Sequence, residues 1–177
     1  MASFDYEKLI VDIPDYPKPG VVFKDVTPLL ADPEGFAAVV RGIAEPYRNA
    51  GVTKVVGSEA RGFMIGAPVA MELGAGFIPA RKPGKPPRET AEEDYELDYG
   101  TATLQIHKDA LGPDDKVLLV DDLIATGGTM VAQIKLVNRL GAELVGVSVL
   151  TELEFFHPRD IFARVTDKQL HSLVKVQ

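Results

Sequence analysis

The run Val117-Leu118-Leu119-Val120-Asp121-Asp122-Leu123-Ile124-Ala125-Thr126-Gly127-Gly128-Thr129 constrains this chain more than any other stretch. Four consecutive apolar β-formers read as a strand covered on both faces, as in a parallel sheet flanked by helices. Two carboxylates follow at the strand's carboxyl end. A small-residue loop comes next, and its paired glycines let the backbone turn tightly and approach a ligand. Thr126 and Thr129 place hydroxyls beside the amides of that loop. Met130, Ile134 and Val137 then recur at helical spacing with Leu140 alongside, and Gly141 supplies a left-handed stop.

The helix therefore presents its positive end to the loop, where free N–H groups and the dipole act together on an anion. Asp121 and Asp122 are placed to engage neighbouring hydroxyls of a sugar or a hydrated divalent cation. A ribose 5-phosphate satisfies both halves. An ordinary strand-loop-helix would account for the glycines, but not for the acidic pair and both threonines as well.

With 177 residues, 46% of them hydrophobic, the chain is expected to form one domain spanning 1–177. Its 19 Lys and Arg against 26 Asp and Glu give a net charge of -7, which argues against gripping a nucleic-acid backbone. Cysteine is absent, which excludes disulfides, and three histidines alone argue against structural zinc. A reducing, cytoplasmic compartment is expected. Met1 to Lys8 carries Asp5 and Glu7 without an apolar core, so no secretory signal is read there. The longest apolar stretch, Phe63 to Met71, is too short to span a bilayer.

Tyr6 to Ile13 predicts a short helix ending before Pro14, with an irregular stretch from Asp15 to Gly20. Asp32 caps a second helix with Pro33 at its first position, and Phe36, Val39, Val40, Ile43 and Tyr47 line one face. Thr53–Val56, Gly76–Ala80, Val117–Val120 and Leu144–Leu150 read as strands, with a helix over Gly62–Leu73 despite Pro68. The alternation predicts an α/β fold with a parallel, doubly wound sheet flanked by helices, whose ligands bind at the carboxyl ends of the strands. Lys82 to Tyr95 breaks it as a Pro-, Lys- and Glu-rich excursion. Thr101–His107 then alternates like a half-exposed antiparallel strand, giving a mobile flap hairpin over the site.

The Asp121–Thr129 run resembles the signature of type I phosphoribosyltransferases, in the form found in their adenine-specific branch. Carried over, Ala125, Thr126, Gly127, Gly128 and Thr129 hold the 5-phosphate of phosphoribosyl pyrophosphate, and Asp121 and Asp122 hold the ribose. Gly57-Ser58-Glu59-Ala60-Arg61-Gly62-Phe63 is a second strand-to-helix turn suited to an anion. It resembles the family's pyrophosphate loop, matching its arginine at Arg61 and departing at Ser58, Glu59 and Ala60; the resemblance implies a cis peptide before Ala60. Arg81, Lys82 and Lys85 match the family's basic cluster, which contacts pyrophosphate partly across a dimer interface. Ile13 to Leu30 reads on physics alone as a Pro-anchored loop and short strand, yet resembles the family's N-terminal hood. There Phe23 would stack on the purine, with main-chain contacts from Val22 and Lys24.

Tyr95-Glu96-Leu97-Asp98-Tyr99-Gly100 resembles a flap motif in which an acid, here Asp98 in place of Glu, carries a proton at the purine. Tyr99 joins the substrate-binding set and Arg61 the catalytic one. The resemblance runs from about Ile13 to Glu152 and implies transfer of the phosphoribosyl group to adenine, giving AMP and pyrophosphate. Magnesium would be held by substrate oxygens rather than directly by the protein, and the enzyme would be a homodimer. Two other readings stand beside it: the same chemistry on xanthine, hypoxanthine or guanine, and a non-catalytic regulator that senses phosphoribosyl pyrophosphate. No site residue is carried over from 153–177.

Overall fold

The structure, a computed structural model, describes residues 3–97 and 100–177. A 3₁₀ turn at Tyr6–Leu9 leads into an antiparallel hairpin, β1 (Val11–Pro14) and β2 (Val22–Asp25), and the short helix α1 (Thr27–Ala31). The helix expected through Ile13 stops at Leu9, because the residues that follow pair across the chain instead, Val11 opposite Asp25 and Pro14 opposite Val22. The reversal between them uses a cis Tyr16–Pro17 bond and left-handed backbone at Asp15 and Gly20, where the Gly20 N–H donates to Asp15 Oδ1 at 2.7 Å.

The helix α2 (Pro33–Ala44) begins as its sequence predicts: the Asp32 carboxylate accepts the Gly35 N–H at 2.7 Å, and Val39, Val40 and Ile43 are buried. Then come β3 (Lys54–Ser58), α3 (Arg61–Leu73), β4 (Gly76–Ala80), β5 (Thr90–Glu96), β6 (Thr101–His107) and β7 (Lys116–Ile124). The chain closes with α4 (Gly128–Arg139), β8 (Glu143–Leu153), α5 (Pro158–Phe162) and β9 (Leu170–Val176). Gly141, at φ 81, follows the end of α4 as anticipated.

Five parallel strands form the central sheet in the order β4-β3-β7-β8-β9. The four apolar residues that open the β7 signature divide between two cores. Leu118 and Val120 pack with Val39, Ile43, Ile65 and Val69 from α2 and α3. Val117 and Leu119 pack with Ile134 and Val137 of α4 and with Leu104 and Ile106 of β6. Each such side chain, fully buried, contributes about 1.5–3 kcal/mol, which is why the run tolerates no polar residue on either face.

Three further expectations are corrected. β7 runs on to Ile124, so Asp121 and Asp122 lie inside the strand rather than beyond it, with Asp121 opposite Val149 of β8. β9 adds a fifth parallel strand that the sequence pattern did not reveal. The charged stretch before residue 96 is also partly a strand: β5 pairs with β6 from Thr90 opposite His107 to Glu96 opposite Thr101. Leu104 and Ile106 are buried, so the base of this hairpin is seated against α4. Among the described residues no helix is long and apolar enough to cross a membrane.

Candidate active site

Adjacent central strands build the floor of the site. Gly57 of β3 stands opposite Val120 of β7, which brings the next residues, Ser58 and Asp121, side by side. The Ser58 hydroxyl donates to Asp121 Oδ2 at 2.5 Å, and the Asp122 N–H donates to Asp121 Oδ1 at 2.9 Å. Both carboxylates are buried. Burial, reinforced by the neighbouring Asp122 charge, pushes the Asp121 carboxyl well above the ordinary carboxylate range, against the opposing pull of Ser58. Gly62, in the first turn of α3, makes the packing possible: a Cβ there would lie 3.0 Å from Asp121 Oδ1 and 3.3 Å from Ser58 Oγ.

The Glu59–Ala60 peptide is cis, as the resemblance implies, and Arg61 follows as the first residue of α3. Its Nε lies 3.0 Å from Asp122 Oδ2, and its guanidinium carbon sits 5.7 Å from the centre of the Phe23 ring. Phe23 in turn meets Tyr16 edge-on at 5.3 Å. Arg61 thus joins the acidic pair to the hood. Within the hood the Lys24 ammonium is taken up by Asp12 at 2.6 Å, and the Val22 side chain is exposed.

Gly127, at φ 90, turns the chain into α4, and none of its flanking side chains caps that helix end. The amides of the first turn are therefore left for an anion. A cleft of ≈ 250 Å³ joins this loop to the acidic pair, bounded by residues 58–62, Lys82, Tyr95, Leu104 and residues 121–130. Arg61, Lys82, Asp121, Asp122 and Ala125 to Thr129 are brought together on its wall. Val22, Phe23, Lys24, Arg81 and Lys85 are not on that wall. The Lys82 N–H donates to Glu59 Oε2 at 2.9 Å, and Arg81 Nε lies 3.5 Å from the same oxygen. The Lys82 hydrogen bond, helped by Arg81, holds the Glu59 carboxyl below its usual range. Asp98 and Tyr99 lie outside the described residues.

Several residues of the site were not singled out by sequence. Ser58 and Glu59 stood out only as departures from a motif, yet one holds Asp121 and the other holds the start of the basic cluster. Tyr95 and Leu104, on the flap strands, wall the cleft. Behind the loop at 125–127, Glu152 of β8 pairs with Ile124, the residue before it. Arg159 grips this buried carboxylate with Nε and Nη2 at 2.7 Å each, and the Ser172 hydroxyl adds a third bond at 2.7 Å. The preceding residue, Pro158, approaches Gly127, so α5 braces the loop.

A carboxylate pair on a central parallel strand, opening onto a helix-end anion loop with a cation-bearing turn alongside, is the arrangement of a phosphoribosyltransferase. The family model of the phosphoribosyl transferase domain matches residues 25–159. An adenine phosphoribosyltransferase of Yersinia pestis is 54% identical over 162 residues, covering 92% of this chain and 85% of that protein. One from Shigella flexneri is 58% identical over 144 residues, covering 81% of this chain and 79% of its own. The crystal structure of the Giardia lamblia APRTase complexed with 9-deazaadenine superposes with a TM-score of 0.92 at 36% identity, covering 100% of this chain and 99% of that one. The chain belongs to the adenine phosphoribosyltransferase family.

Proposed function

We propose that this chain transfers the 5-phosphoribosyl group of phosphoribosyl pyrophosphate to adenine, giving AMP and pyrophosphate, as one domain with its hood at about 13–30 and its flap at about 82–107. The observation that carries this reading is the continuity of one cleft from the acidic pair to the uncapped start of α4, with Arg61 bridging from Asp122 to the Phe23 ring. The Giardia relative binds an adenine analogue, which supports the base.

In this reading Ala125 to Thr129 bind the 5-phosphate, through amides that need no reorganisation when it arrives. Departure of pyrophosphate leaves positive charge on the ribose, which Asp121 and Asp122 stabilise while they hold its hydroxyls. Lys82 and Arg61 take the leaving pyrophosphate, with Arg81 and Lys85 of the same basic cluster contributing partly across a dimer interface. Phe23 stacks on adenine and the main chain of Val22 and Lys24 reads its edge. Asp98 exchanges the imidazole proton from the flap, with Tyr99 beside it in sequence. Water is kept from the cationic sugar by the hairpin.

Among the described residues no three Asp, Glu, His or Cys side chains cluster as a metal cage. The buried acidic pair beside the phosphate loop would accommodate a magnesium ion held mainly by the substrate's phosphate and ribose oxygens, with no direct protein ligand. Bound there, it neutralises charge on the leaving group. The absence of cysteine accords with a cytoplasmic location. A homodimer, with Arg81 of each copy near the other's site, completes the reading. It predicts a dimer in light scattering, and a fully active monomer would contradict it.

The test is one assay of adenine, hypoxanthine, guanine and xanthine with phosphoribosyl pyrophosphate and magnesium. Adenine should be favoured by about three orders of magnitude or more, because an acceptor for its 6-amino group meets a lone pair in the 6-oxopurines. Comparable turnover of hypoxanthine would overturn the base. Binding of phosphoribosyl pyrophosphate without turnover of any base would favour the sensor.

A further inference from the structure

β5 turns Ala91, Glu93 and Tyr95 toward the body of the protein and leaves Glu92, Asp94 and Glu96 exposed. An acid in an inward row is costly without partners. Two cations of α4 supply them. Lys135 Nζ lies 3.3 Å from the Glu93 carboxylate, and the Arg139 guanidinium bonds that carboxylate with one nitrogen and the Glu92 carbonyl with another. Lys135 and Arg139 stand four apart on one face of the helix, a spacing that lets both reach one group. The Glu93 side chain is 14% exposed and the two cations about half exposed, so the clamp is sheltered at its acid.

Two residues along the same inward row, Tyr95 walls the active-site cleft. Tyr95 and Glu96 also meet the other end of α4: a Cβ on Gly128 would lie 3.0 Å from the Glu96 carbonyl and 3.6 Å from Tyr95 Cδ2. The strand is therefore docked on the helix at two points, the cation clamp and the phosphate loop. Only Asp94 separates Glu93 from Tyr95, so fixing one fixes the other.

We propose that Glu93 is a positioning residue for the phosphoribosyl site: held by Lys135 and Arg139, it sets Tyr95 and Glu96 against Gly128 and so maintains the wall of the phosphate end of the cleft. It touches no substrate. The inference rests on the reading of residues 125–129 as the phosphate loop. The clamp also anchors β5 on α4 along the strand's inward row.

Steady-state kinetics and melting temperatures of Glu93→Gln, Arg139→Ala and the double variant test this. Glu93→Gln should raise KM for phosphoribosyl pyrophosphate about fivefold, leave KM for adenine within about twofold, and change the melting temperature little, as loss of a partly exposed charged contact does. The double variant should lose less than the sum of the two singles, because both break the Glu93–Arg139 contact, while each alone also loses one contact of its own, Lys135 for Glu93 and the Glu92 carbonyl for Arg139. An unchanged KM for phosphoribosyl pyrophosphate, a parallel rise in both KM values, or losses that simply follow the melting temperature would overturn the role. The parent enzyme separates the two readings. Parent turnover with unaltered variants defeats the clamp and leaves the transferase standing, whereas a parent that binds neither phosphoribosyl pyrophosphate nor ribose 5-phosphate defeats both.

Discussion

Ser58 and Asp121, 63 residues apart in sequence, meet at 2.5 Å because β3 and β7 are hydrogen-bonded neighbours in the middle of the sheet. The contact fixes one carboxylate of the acidic pair, while Arg61 faces the other. Two adjacent acids are thereby given different surroundings, one a hydroxyl and the other a cation.

That asymmetry predicts a pH dependence. Burial and the Asp122 charge raise the Asp121 carboxyl above its unfolded value. Between the two values the folded chain holds more protons than the unfolded one, so stability falls as pH rises through that window. Asp121→Asn cannot ionise and should flatten the fall. Thermal melts of the substrate-free protein from about pH 5 to about pH 9 should show the variant gaining on the parent as pH rises. Its turnover should drop about 100-fold if the carboxylate stabilises the ribose cation. A variant with parental kinetics would leave Asp121 a purely structural acid.

Gly62→Ala introduces a methyl 3.0 Å from Asp121 Oδ1 and 3.3 Å from Ser58 Oγ. Neither can retreat without breaking their mutual hydrogen bond. Overpacking costs about 1–3 kcal/mol, against about 1 kcal/mol gained in helix propensity. A net loss of about 1 kcal/mol is expected, or roughly 2–4 °C in melting temperature for a chain of this size. Turnover should fall with it, and an alanine variant with parental stability and rate would show that the pair can shift.

Arg159→Ala strands the Glu152 carboxylate, which is 1% exposed. Burial pushes that carboxyl up, but the Arg159 and Ser172 hydrogen bonds outweigh it and hold it below its usual range. Removing one partner of a buried pair costs about 3–5 kcal/mol, so a melting temperature lower by about 10 °C is expected. Replacing both, Glu152→Gln with Arg159→Met, should recover much of it. Calorimetry of the two variants decides the matter, and equal losses in the single and double variants would mean that the packing of α5 matters more than the charge.

Asp98→Ala should lower turnover by about 100-fold or more with little change in KM for phosphoribosyl pyrophosphate, since general acid-base transfer contributes about 10²–10⁴. Asp98→Glu should be tolerated. An active Asp98→Ala enzyme would remove this acid from the chemistry while leaving the family assignment intact.

The floor of the site was legible because its signals are local: an uninterrupted apolar run, paired acids and paired glycines within thirteen residues. The elements that were missed depend on distant partners. β5 reads as a solvated acidic stretch until Lys135 and Arg139, some forty residues on, neutralise its inward Glu93. Val11–Pro14 looks like the end of a helix until Val22–Asp25 folds back onto it. β9 carries His171 and Ser172 near its start, and their acceptability comes from Ser148 and Glu152 on the neighbouring strand. Sequence periodicity records which residues face inward, but not which charges meet there.

The hood forms its own two-stranded sheet, separate from the five parallel strands that carry Ser58, Asp121 and Asp122. On the proposed reading, in which this hairpin holds the base, the choice of base can change there without disturbing the strand register beneath the sugar and phosphate. A chain built this way keeps its chemistry as inheritance and its substrate as an editable clause.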